Sequence, residues 1–180
     1  MAVKTITSTD VEFGACQVTF GAVDLGSFKG GVTFNYSYNV VKSKPDSLSA
    51  PNNAWMTNED VVVTVPILET DVLSLQYVMP LGHYYINGTD KKMEVGGDQI
   101  VSGDFKELII IPITDGSATL STDENAQITV HKALCMGPIE KGYNMENERI
   151  VTVEFHGFAD TTESAGEQLF TLGDTDIASA

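Results

Sequence analysis

A chain of 180 residues with 42% hydrophobic and 19% charged side chains has the composition of one folded domain, able to bury about 70% of the surface exposed when unfolded. Its 25 acidic residues against 10 basic ones leave a formal net charge of −15, and Arg149 is the single arginine. Few phosphates can be neutralised by such a chain, so conventional nucleic-acid binding and attachment to anionic membranes are not expected.

The first residues, Met1 to Asp10, are polar and threonine-rich, without the apolar core of a secretory signal. No segment approaches the ~20 consecutive apolar residues of a membrane helix. Cys16 and Cys135 stand far apart without metal-ligand spacing, which favours buried thiols over a disulfide.

In chain order, Cys16 to Phe20 reads as a short strand entering a Gly-Ala-Val-Asp turn region. Gly30 and Gly31 precede the clearest strand, Val32 to Val41. Its even positions (Val32, Phe34, Tyr36, Tyr38, Val40) are apolar or aromatic, and Thr33, Asn35, Ser37 and Asn39 are small and polar. A period of two places one face on a core and the other in solvent. Lys42 to Asn58 then reads as a polar loop of about 17 residues with Pro45, Pro51 and the lone Trp55. A connection of that length in a compact domain is functional or an interaction arm.

Asp60 to Leu68 is valine-rich and continuous, the pattern of a strand buried on both faces. At about residues 70–80 the period changes to that of one helix, with Thr70 as its cap, Asp71 in its first turn, and Pro80 and Gly82 closing it. Further strands are expected at His83 to Ile86, Lys92 to Val95, Gln99 to Val101, Phe105 to Ile113, Ala126 to Met136 and Arg149 to Phe158. Residues 160–180 form an acidic tail with an apolar island at Leu169 to Leu172. The chain reads as a single domain over 1–180.

Catalytic, cofactor and metal constellations are not expected. His83, His131 and His156 lack ligand spacing, and Ser102-Gly-Asp is not a nucleophile elbow. His131 and Cys135 share one expected strand at a spacing of four, on the same face but about 13 Å apart, too far for a nucleophile and its base. Gly96-Gly-Asp and Gly103-Asp lack the ligand series of a calcium loop and serve as turns.

The order of these pieces resembles the major tail proteins of long-tailed bacteriophages, which polymerise into the tail tube. The carrying residues are Cys16-Gln-Val-Thr-Phe-Gly-Ala-Val-Asp-Leu-Gly, Lys29-Gly-Gly-Val-Thr-Phe, the long loop, and the helix opening Leu68-Glu-Thr-Asp. In the second half they are His131-Lys-Ala, Tyr143, Arg149 leading into Val151-Thr-Val-Glu-Phe, and Asp160, Gly166, Phe170 and Gly173-Asp174. The resemblance implies a mainly β fold, a β-sandwich or small barrel, with one flanking helix and a long inter-ring loop. It further implies six-membered rings stacked into a hollow tube in the virion tail, assembled in the host cytoplasm, through which DNA passes without specific binding. Other copies of the chain, a tape-measure protein, a tail terminator and, for a contractile tail, a sheath protein are the implied partners. On this basis Thr33, Asn35, Ser37 and Asn39 are candidate lumen-facing residues, and Pro45, Pro51 and Trp55 are candidate inter-ring contacts. Type VI secretion tubes are related. The alternatives are another virion or type VI secretion tube component, such as a tail terminator, and a monomeric β-sandwich binding module with the same polar face turned to bulk solvent.

Overall fold

A computed structural model describes residues 15–47, 49–68, 71–97, 99–113, 120–121, 124–141 and 149–175. The protein is mainly β. A first hairpin joins β1 (Cys16–Phe20) to the two-residue β2 (Val23–Asp24) through Gly21 and Ala22, both at positive φ. That pair of left-handed residues makes a type I′ turn, whose twist suits antiparallel strands. Two long strands follow, β3 (Thr33–Ser43) and β4 (Asn53–Ile67), and then the helix α1 (Val72–Val78). The chain continues through β5 (Gly82–Asn87), β6 (Asp90–Val95), β7 (Lys106–Pro112), β8 (Ile128–Cys135), β9 (Glu140–Lys141), β10 (Val151–Gly157) and β11 (Phe170–Leu172).

Nine strands form one sheet, in the order β2-β1-β7-β8-β10-β4-β3, with β11 beside β8 and β9 beside β10. Among the described residues the order runs from an end at β2 to another at β3, and the sheet does not close into a barrel. It is nevertheless strongly curled. β1 and β10 lie three strand spacings apart, about 14 Å in a flat sheet, yet the rings of Phe20 and Phe155 meet at 4.9 Å. The concave face encloses the core: Val18 and Phe20 from β1, Leu108 and Ile110 from β7, Val151, Val153 and Phe155 from β10, and Val61, Val63, Val65 and Ile67 from β4. Leu75 and Val78 of α1 join this cluster, and β5 and β6 form a separate hairpin beside the helix.

Several expectations need correction. The stretch Lys42 to Asn58 is not a 17-residue loop; β3 continues to Ser43 and β4 begins at Asn53, leaving residues 44–52 as the connection. β4 is not equally buried on both faces: Val61, Val63, Val65 and Ile67 are buried, whereas Val62, Thr64 and Pro66 on the reverse face are half-buried. The helix is seven residues long and starts after Asp71; Thr70, its expected cap, lies outside the described residues. Gln99 to Val101 is not a strand. The Asp104 carboxylate accepts the Val101 amide at 2.7 Å and folds the chain into a short 3-10 turn, a side-chain bond that competes with strand pairing.

One irregularity reverses a side chain. Between Lys106↔Ala133 and Leu108↔Val130, β7 advances two residues while β8 advances three. This bulge in β8 changes which alternate residues face the core. Val130 and Cys135 are therefore both core residues, and His131 turns away to bond Thr171 Oγ1 at 2.9 Å. His131 and Cys135 do not share a face, contrary to the expectation from their spacing.

Candidate functional site: a protruding β-ribbon

β3 and β4 pair along their whole length, from Thr33↔Thr64 to Ser43↔Asn53. The inner half of the pair belongs to the domain. Phe34 and Tyr36 lie opposite Val63 and Val61, and both aromatic rings pack on Phe170, at 5.2 and 5.0 Å. The Tyr36 hydroxyl donates to Glu59 Oε1 at 2.6 Å, and this bond to the carboxylate raises the tyrosine pKa above its usual value.

Beyond Glu59 the register shifts: Tyr38 faces Glu59, Asn39 faces Thr57, and Asn58 is the extra residue. Asn58 sits in the left-handed region at φ 65°, a conformation that asparagine tolerates better than other side chains with a Cβ. Past this bulge the two strands form a ribbon without a core beneath it. Every residue of Asn53–Asp60 is exposed. Tyr38, Val40, Val41, Trp55 and Met56 are 45–56% exposed, and they are divided between both faces of the ribbon. The Asn52 amide bonds the Ser43 carbonyl at 3.1 Å and closes the tip, which contains Pro45 and Pro51. Trp55 is in β4, opposite Val41, and not in a loop.

The four polar residues expected on one face of β3 are all exposed. Thr33, Asn35 and Ser37 lie opposite Thr64, Val62 and Asp60, and Asn39 continues beyond the bulge opposite Thr57. Across β4 the same face extends to Glu154 and His156 of β10, whose Nδ1 is 3.9 Å from Asp60 Oδ1. Two carboxylates thus join a face that reads as neutral from β3 alone. Only strand register reveals Asp60 and Glu154 as its members. The outer edge of β3 has no strand beside it among the described residues.

The remaining reactive side chains are dispersed. His83, His131 and His156 lie on β5, β8 and β10, and no group of three or more His, Cys, Asp or Glu is placed to hold a metal among the described residues. Both cysteines are free thiols. Burial pushes the Cys135 thiol up to about 12, and raises that of half-buried Cys16. No helix among the described residues is long and apolar enough to cross a membrane.

No protein-family model matches this chain, and no curated protein matches it in sequence. Solved structures do align with it. The tube-terminating cap of the anti-feeding prophage aligns with a TM-score of 0.50 at 8% identity, over 87% of this chain and 88% of the cap. A chain of the sheath–tube complex of the PVC extracellular contractile injection system aligns at 0.47 and 10% identity, covering 84% and 93%. Hcp1 from Flavobacterium johnsoniae aligns at 0.38 and 14%, covering 80% and 88%. The assignment of fold rests on the first of these: the curled sheet with its flanking helix shares the fold of the anti-feeding prophage's tube-terminating cap.

Proposed function

We propose that this chain is a structural subunit of a tail-type tube, assembling with copies of itself into stacked hexameric rings around a hollow conduit. The observation that carries the proposal is the ribbon beyond Asn58. A two-stranded ribbon alone is marginally stable in water, and this one exposes four large apolar side chains beyond the bulge, Val40, Val41, Trp55 and Met56. A surface of that kind is suited to burial in an assembly. The outer edge of β3, eleven residues long and without a neighbouring strand among the described residues, adds a second surface. Closure into a ring removes such an edge without leaving it open to aggregation.

The conduit reading extends to cargo. The face bearing Thr33, Asn35, Ser37 and Asn39 becomes the lumen wall, with Asp60 and Glu154 among its members. Thr33–Asn39, Thr57–Pro66 and Val151–Gly157 contain no lysine or arginine. Duplex DNA carries one negative charge per about 1.7 Å of axis, so a basic wall would retain it. A hydroxyl, amide and carboxylate wall lets it pass. The partners of this reading are the chain itself, a tape-measure protein, a terminator and, in a contractile tail, a sheath; its place is the virion tail, and its role is not catalytic.

A second reading is a terminating ring, favoured by the fold shared with a tube-terminating cap. Electron microscopy of the concentrated protein separates the readings. Hollow filaments support the repeating subunit and single rings support the terminator; monomers at every concentration overturn both.

A further inference from the structure

We infer that the ribbon tip of one copy docks in a groove between the β1–β2 hairpin and the start of β3 on another copy. This inference rests on the assembly reading above and specifies its acceptor surface. The groove has a volume of about 700 Å³ and is lined by Cys16, Asp24, Phe28, Val32, Ile113 and Leu120, among others. That volume lies within the ~300–1,000 Å³ of ordinary binding clefts, and the lining mixes apolar side chains with the polar Gln17, Asp24 and Ser27.

Three observations select the ribbon tip as occupant. First, the tip offers matching chemistry, with Val41 and Trp55 opposite one another on one face and both half-exposed. Tryptophan in an apolar pocket is a frequent anchor of protein interfaces. Second, the charges complement. Lys42 and Lys44 stand at the tip beside a single nearby acid, Asp46, in a chain of net charge −15. The groove presents Asp24, whose carboxylate accepts from Gln17 Nε2 at 2.5 Å and from the Gly26 amide at 2.9 Å.

Third, the tip cannot fill the groove of its own chain. Val32 is a groove residue at the root of β3, and Val41 is nine residues further along the strand, about 30 Å away at strand rise. Donor and acceptor are therefore remote patches on one molecule, and their union is a head-to-tail contact that propagates.

Pair-specific cross-linking tests the inference in the full chain. Asn53→Cys places a thiol at the exposed tip on the face of Trp55, and native Cys16 waits in the groove. Mild oxidation of the assembled Asn53→Cys protein is expected to give covalent oligomers that disappear with added Cys16→Ser. N-ethylmaleimide labelling of Cys16, read by peptide mass, is expected in the wild-type monomer and severalfold slower after assembly. Assembly with Cys16 labelled at its monomer rate and no Cys16-dependent oligomers overturns the inference and leaves the tube reading standing. Protection of Cys16 already in the monomer means that the groove is closed to an incoming tip and also overturns it. Failure of the wild type to assemble overturns the tube reading together with this one.

Discussion

Val41 and Trp55 face each other across a ribbon that has no core beneath it, and each leaves about half its surface in solvent. Neither contributes to the domain's interior, so their removal separates folding from assembly. Trp55→Ser and Val41→Ser are expected to change unfolding free energy by no more than about 0.5 kcal/mol, as for exposed sites generally. Both variants should keep the far-ultraviolet circular dichroism of the wild type and lose sedimentable assemblies. A variant that assembles like the wild type would remove the ribbon from the interface.

Asn58 holds the left-handed bulge at the root of the ribbon. Glycine adopts this conformation freely, whereas a β-branched residue is penalised by about 1–2 kcal/mol. Asn58→Gly is therefore expected to leave the ribbon intact, and Asn58→Val to loosen it. Because the ribbon projects from the core, the effect belongs to local opening and not to global unfolding. Amide exchange over 39–43 and 53–57 should accelerate roughly tenfold per 1.4 kcal/mol in Asn58→Val, with the urea midpoint little changed.

Gly157 ends β10 where a side chain would enter the core. An added Cβ would lie 3.0 Å from Val61 Cβ and 3.2 Å from Val130 Cγ1, both on buried strand residues with little room to move. Gly157→Ala is expected to destabilise by about 1–3 kcal/mol, the usual range for overpacking. Urea unfolding measures it. Val130→Ala in the same chain removes the Cγ1 at 3.2 Å, so the double variant should be more stable than the sum of the single effects implies.

Cys135 gives a pH dependence with a definite sign. Burial raises its folded pKa from 9.0 to about 12, so the unfolded thiol ionises first. Its contribution to stability is complete below pH 9 and is lost as pH rises from there through the folded pKa. Urea midpoints are expected to fall on raising the pH above 9 and to fall less in Cys135→Ala, measured against each protein's own value at pH 8. At pH 8 the native thiol should resist maleimide until the chain unfolds.

Much of the fold is written in local pattern. The alternation from Val32 to Tyr36 places Phe34 and Tyr36 on the core side, where they meet Phe170, and the Gly21–Ala22 turn follows from the hairpin it must close. Cys16 and Cys135 read as buried thiols; Cys135 is buried and Cys16 is half-buried. The ribbon was not legible. Asn53 to Asn58 lacks alternation, and two prolines flank its connection, so the stretch has the local signature of a loop; pairing with Val40–Ser43 makes it a strand. Backbone hydrogen bonds depend on which strand lies alongside, and a single segment does not encode its neighbour.

The same reason divides the rest. By itself the sequence determined a β domain of net charge −15, one short helix and the polar series Thr33, Asn35, Ser37 and Asn39. Tertiary structure alone decided that β8 bulges and turns His131 away from Cys135, that Asp60 and Glu154 join the polar face, and that the curled sheet stops open at β3. Periodicity fixes which side of a strand is apolar. Register, bulges and curl arise between strands distant in the chain, and they set what each face of the molecule presents to a partner.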